Sequence, residues 1–200
     1  MSRLAPSRYQ LRLDRAMHRA ASLATAKHLT LCRIVTYEFA TQQDAVSGDG
    51  SMQFGQHWNP PGLRAVYGSL DPQTAFLECG YVRAFYNLPG ASGELPNNLV
   101  ILTLRAQLSR CVSFDEASFA CHIGPSIVRR VKSEDWHKTN ADGCTAVAQA
   151  LGLSANRAGI QALIVPSWPN PGHQNCVIFP DQCPKGVIEI LNCDQLPKRR

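Results

Sequence analysis

No run in this sequence approaches the roughly 20 consecutive apolar residues that cross a bilayer as a helix, so a membrane-spanning helix is not expected. No apolar core follows the N-terminal charges, as a secretory signal requires. The eight cysteines include no CxxC pair and no Cys/His spacing suited to zinc. A metal centre is therefore not expected, and most of the thiols read as small buried hydrophobes of a protein in a reducing, cytoplasmic compartment. Repeats and low-complexity tracts are missing as well. Acidic charge is scarce at the two ends. Residues 1–30 carry six Lys/Arg against one acid, Asp14, and the chain closes on Lys198, Arg199 and Arg200. The remainder holds 11 basic and 14 acidic residues, so the net charge of +5 belongs to the termini. The body lacks the basic field that direct nucleic-acid binding needs, leaving only the ends as candidates for contact with a polyanion.

What is present is enough for a core. Two hundred residues, 44% of them hydrophobic, suit one domain. The patterning predicts a basic helix or arm over 1–30, a central domain over 31–191 and a basic tail over 192–200. Within these, residues 8–27 read as a helix and Leu29–Phe39 as a strand carrying Arg33 and Tyr37. A helix over 72–87, a polar loop over 92–98 and a buried strand at Leu99–Leu104 follow. Residues 113–158 read as irregular to helical, with a helix from Thr145 to Leu151 that ends at Gly152. Strands at Ile160–Val165, Asn175–Phe179 and Val187–Leu191 complete the set. About six strands interleaved with scattered helices indicate a single α+β domain with a mixed sheet.

One stretch concentrates the unusual chemistry, residues 47–78. It opens as a glycine-rich polar loop with Gly48, Gly50 and Gly55. The turn His57-Trp58-Asn59-Pro60-Pro61-Gly62 follows, then a short strand-like run, Ala65-Val66-Tyr67. Asp71-Pro72 is a helix start: Asp71 caps free N–H groups of the first turn and Pro72 fits the first helical position. Glu78 then falls on the second turn, beside apolar neighbours at helical spacing. A carboxylate on such a face is costly unless it is paired or hydrogen-bonded.

In order along the chain, Arg33, an SGxG loop, WNPPG, Tyr67, Glu78 and a distant Val165-Pro166-Ser167 with Asn175 resemble the RES domain. That family takes its name from an Arg, a Glu and a Ser, which fall here on Arg33, Glu78 and Ser167. The resemblance spans roughly residues 31–191. It implies a toxin of a bacterial toxin–antitoxin pair that destroys NAD, with a fold similar to that of the ADP-ribosyltransferase toxins. It also implies a catalytic set of Glu78, Arg33, Tyr67 and Ser167. Around them it sets Tyr37, Gly48, His57, Trp58, Asn59 and Asn175 against the substrate. NAD is substrate rather than cofactor in this picture, and the expected partner is an antitoxin with an Xre-like DNA-binding domain.

The residue types suit that chemistry. Nicotinamide in NAD is a pyridinium and leaves as a neutral base, so the acid–base pair of most glycoside hydrolases is not required. One carboxylate, Glu78, suffices to orient the ribose hydroxyls or stabilise an oxocarbenium ion. Arg33 supplies a fork of donors for pyrophosphate, and Tyr67 a flat face with a hydroxyl at its edge. Ser167 has no identifiable base, so it reads as a hydrogen-bonding residue rather than a nucleophile. The chain departs from the family's usual GGRW at Gly55-Gln56-His57-Trp58, where His57 replaces an arginine. A histidine clamps phosphate only when protonated, and Arg64 is a candidate to compensate. Two other readings stay open: an ADP-ribosyltransferase acting on a protein, and a catalytically weak domain that acts by binding.

Overall fold

The computed structural model describes residues 4–85, 98–114 and 116–196. The first element, α1 (Gln10–Ala20), buries Leu13, Ala16, Met17 and Ala20 at helical spacing. A single 3₁₀ turn separates it from β1 (Thr25–Thr36). The helix expected over 8–27 therefore ends early, and the strand expected at Leu29 begins at Thr25. The cause is β3 (Leu99–Ser113), which pairs antiparallel with β1 from Thr25↔Cys111 to Thr36↔Leu99. A ladder of that length overrides the helix propensity of Ala24–Lys27. The expected strand end at Leu104 is likewise passed. Leu104, Ala106 and Leu108 stay buried while Arg105 and Gln107 face water, so the two-residue period continues.

Four shorter strands complete the sheet: β2 (Val66–Ser69), β4 (Ala162–Pro166), β5 (Gln174–Ile178) and β6 (Ile188–Ile190). The order is β1-β2-β5-β4-β3-β6, and the additional β1–β3 pairing closes five of the strands into a ring. Only β3 and β4 run parallel, so the sheet is mixed and the chain a single mixed α/β domain. One core lies within the ring, built on Leu31, Val66, Leu102, Leu104, Ile164 and Ile178. The other packs outside β2, β5 and β4 and unites Leu13, Met17, Trp58, Leu163, Val177 and Phe179. The expected basic helix of the N-terminal segment is α1, which packs into that second core, and the expected boundary at residues 30/31 falls inside β1.

The stretch read as a loop after residue 47 contains helix. Here α2 (Gln42–Ser47) and α3 (Asp49–Phe54) meet at Gly48, whose φ of 72° turns the chain. Next comes α4 (Pro72–Phe85), capped as expected: Asp71 Oδ1 accepts from the Thr74 amide at 2.8 Å. Residues 86–87 of that predicted helix and 92–97 of the predicted loop lie outside the described residues. The region 113–158 resolves into α5 (Glu116–Ile123), α6 (Pro125–Ser133), α7 (Trp136–Ala141) and α8 (Val147–Arg157). Gly152 does not end a helix but sits inside α8. A Cβ there would lie 1.8 Å from the Trp58 carbonyl oxygen, so this glycine permits a close backbone approach. Among the described residues no helix is long and apolar enough to cross a membrane.

Candidate functional site

Three strand ends and one helix converge at Glu78. Asn175 at the start of β5 pairs across the sheet with Ser69 at the end of β2 and with Val165 near the end of β4. Directly opposed residues share a face of the sheet, so Asn175 and Ser69 project together towards α4. Ser69 Oγ donates to Asn175 Oδ1 at 2.7 Å, which sets the amide and aims its Nδ2 at Glu78 Oε1, 2.5 Å away. Ser167, the residue after β4, donates its hydroxyl to the same oxygen at 2.7 Å. Glu78 is partly buried, and Ser167 is only 4% exposed. Both donors act on Oε1. Among the described residues nothing bonds Oε2.

The segment that carries Ser167 is braced. Its amide donates to the His173 carbonyl and its Oγ accepts from the Asn170 amide, closing a compact loop. Asn170 Nδ2 donates to Thr74 Oγ1 at 2.8 Å, and His173 Nδ1 lies 3.0 Å from Asp71 Oδ2. The N-terminal turn of α4 and the 167–173 loop are thereby fastened together. Hydrogen bonds from the Thr74 hydroxyl and amide, then the His173 contact, hold the Asp71 carboxyl below its ordinary range. Trp168 stands 61% exposed on this loop. Ser69, Thr74 and Asn170 were not singled out in the sequence, since isolated Ser, Thr and Asn at strand and helix ends carry no distinguishing pattern.

A second group is organised by Tyr67. The β1–β2 ladder has a single pair, Cys32↔Ser69, so the Tyr67 carbonyl takes its hydrogen bond from Arg33 Nη1 at 2.8 Å instead. Burial lowers the Arg33 guanidinium to about 10, which leaves it cationic at neutral pH, and its Nε has no partner among the described residues. The Tyr67 hydroxyl donates to Asn59 Oδ1 at 2.8 Å and accepts from the Trp58 amide at 3.2 Å. Burial raises this phenol well above its ordinary range. The Trp58 bond and the Arg33 charge pull it back, and the Glu78 charge adds to the rise. Tyr67 thus lies in the field of both Arg33 and Glu78.

Several expected ligand contacts are placed elsewhere, and each has a physical reason. Trp58 is 6% exposed and packs edge-on against Phe114 in the outer core. Asn59 is fully buried, its Nδ2 donating to the Ser51 and Leu63 carbonyls at 2.9 and 2.8 Å. Neither has surface for a substrate; they hold the turn behind Tyr67. Gly48 is a close-approach position, where a Cβ would meet the Ala65 amide nitrogen at 2.8 Å. The expected cationic His57 is corrected as well. Burial lowers its imidazole to about 4, against a partial rise from a bond to the Val131 backbone, and nearby His137 lowers it further. This ring is neutral at physiological pH and faces α6. Arg64 does not stand in for it, because Asp49 and Asp181 hold its guanidinium at 2.8 and 3.3 Å. Tyr37 is 54% exposed on the 3₁₀ turn after β1 and makes no side-chain bond to the Glu78 cluster. No group of three His, Cys, Asp or Glu among the described residues is arranged to hold a metal.

The comparisons agree with this architecture. The RES domain family model matches residues 30–196. A chain of the M. tuberculosis MbcT–MbcA toxin–antitoxin complex has a TM-score of 0.66 at 19% identity, with 89% of this chain and 90% of that one covered. At that identity the likeness is one of fold. No curated protein matches the sequence significantly.

Proposed function

The chain belongs to the RES domain family, and from that membership we propose that it is the toxin of a toxin–antitoxin pair that consumes NAD by breaking the nicotinamide N-glycosidic bond. The observation that carries the reading is the single carboxylate of Glu78, one oxygen held by Ser167 and Asn175 and the other without a partner among the described residues. As the C1′–N bond breaks, its electron pair passes to the pyridinium nitrogen and neutral nicotinamide leaves. The ribose left behind is an oxocarbenium ion. Glu78 Oε2 accepts from a ribose hydroxyl or opposes the new positive charge, a role worth most in a site withdrawn from water. An oxygen of water or phosphate then bonds C1′, and with water its proton is lost to solvent. Arg33, cationic and with an Nε that has no partner among the described residues, faces the pyrophosphate in this reading. NAD is the substrate, and no resident cofactor or metal takes part.

The same reading includes kinship with the ADP-ribosyltransferase toxin fold, a cytoplasmic location and an antitoxin with an Xre-like DNA-binding domain. The toxin–antitoxin identity of the structural neighbour supports the toxin and its partner. The deciding experiment incubates purified protein, freed of any bound partner, with NAD and follows free nicotinamide with and without phosphate. Release of nicotinamide supports the proposal, and faster release with phosphate identifies the acceptor. Intact NAD after prolonged incubation with folded protein overturns it.

A further inference from the structure

On the outer core α1 packs beside α8, and their exposed edges enclose an open groove of about 580 Å³. Asp14, Arg15, His18 and Arg19 line it from α1, and Ser154 and Arg157 from α8. It lies at the opposite end of β4 from the Glu78 cluster. The chain leaves α8 through residues 159–161 to begin β4, whereas Ser167 follows the last residue of that strand.

The chemistry of this groove is one-sided. Asp14 is the one carboxylate among its described lining residues, and it is already satisfied. Gln10 and Ser154 donate to its Oδ1 at 2.9 and 2.6 Å, and Arg157 sits 3.3 Å from Oδ2. Arg15 and Arg19 are exposed and have no acidic partner among the described residues. Arg110 extends the positive rim, its Nη2 3.3 Å from the Ala158 carbonyl oxygen. Guanidinium groups bind carboxylates as forks, and Asp14 shows one carboxylate already seated in the groove beside Arg157.

Spacing narrows the occupant. Arg15 and Arg19 are one helical turn apart, about 6 Å along the axis. Alternate side chains of an extended peptide are separated by about 6.6 Å. Two acidic residues with one residue between them therefore meet both arginines. A nucleic acid fits less well. Among its described lining residues the imidazole of His18 is the one ring available for base stacking, with no Phe, Tyr or Trp beside it, and the body between the basic ends, with 14 acids against 11 bases, repels a polyanion longer than the groove. We infer that the α1–α8 groove docks an extended acidic segment of a partner protein, with its carboxylates on Arg15 and Arg19. This goes beyond the proposed reaction and does not depend on the chemistry at Glu78.

The test measures fluorescence anisotropy of a labelled decapeptide of alternating Glu and Ala, with the Gln–Ala peptide as its neutral counterpart. Binding of the Glu peptide only, weakening with salt, is expected. Arg15→Glu with Arg19→Glu should weaken it at least tenfold. Arg129→Glu with Lys185→Glu changes the net charge equally at exposed positions outside the groove and should leave affinity within twofold. Circular dichroism verifies folding, and the milder Arg15→Gln with Arg19→Gln replaces the reversal if that variant does not fold. Absence of peptide binding, or equal loss in both reversed pairs, overturns the proposal. So does tighter binding of a 20-base-pair duplex that is lost with Arg15 and Arg19, which would assign the groove to nucleic acid.

Discussion

Ser167 donates its hydroxyl to Glu78 Oε1 across 2.7 Å, although the two residues are 89 positions apart. Asn175 completes the arrangement on the same oxygen, held in turn by Ser69. The carboxylate is therefore fixed through one oxygen, and among the described residues nothing bonds the other, a geometry suited to meeting charge that develops during a reaction.

Replacing the charge while keeping the shape tests that arrangement. Glu78→Gln is expected to slow nicotinamide release about 100-fold, equivalent to roughly 3 kcal/mol of lost transition-state stabilisation. Asn175→Ala leaves the carboxylate but removes one of its two donors, and the loss should fall on kcat, about tenfold, more than on KM. Steady-state rates of the folded variants check both. A Glu78→Gln enzyme with wild-type kcat would remove the carboxylate from the mechanism.

Arg33 has a structural duty as well as its proposed one. Arg33→Ala deprives the Tyr67 carbonyl of its donor, so unfolding free energy should fall by about 1–3 kcal/mol, the usual cost of leaving a buried acceptor unsatisfied. NAD affinity should fall too. Urea titration and NAD binding separate these effects, and a stability equal to wild type would mean that the Tyr67 carbonyl finds another donor.

Stability should also depend on pH through His57. Its imidazole is held at about 4 in the fold against 6.5 for the free group, so the unfolded chain takes up this proton first as the solution is acidified. The contribution is complete above pH 6.5 and declines as pH falls through 4. In His57→Gln that part of the slope should vanish, as read from urea midpoints between pH 7.5 and 4.5. NAD affinity from pH 7 to 8 should show no dependence on this residue, and His57→Arg should bring no gain. A His57-dependent affinity in that range would place the ring at the ligand after all.

Two glycines should respond in opposite directions. Gly152→Ala forces a Cβ to within 1.8 Å of the Trp58 carbonyl oxygen, a contact that only a shift of α8 against the turn can relieve. Severe destabilisation or insoluble protein is expected. Gly50 in α3 has open space where a Cβ would go, and Gly50→Ala should stabilise by up to about 1 kcal/mol through helix propensity. Thermal melts of the two variants decide it.

Local chemistry is what the sequence by itself determined. Asp71-Pro72 announced the start of α4 and placed Glu78 on its second turn, because a cap acts within one turn of backbone. The strands at Val66, Ala162 and Gln174 were legible from short apolar runs, to within a residue or two at their ends. Register was not legible. The extension of β1 back to Thr25 and of β3 on to Ser113 depends on each strand having the other, and local propensity is silent about a partner some 70 residues away. The same limit governed the site. Residue types in the 47–78 stretch pointed to a substrate, yet burial turned Trp58 and Asn59 into supports and withdrew the charge from His57. Conversely, Ser69, Thr74 and Asn170 became part of the cluster only when strand ends met α4. Which side chains a residue faces, and how much water remains around it, are set by contacts distant in sequence. Those contacts determine whether a polar group braces the fold or stays available to a ligand.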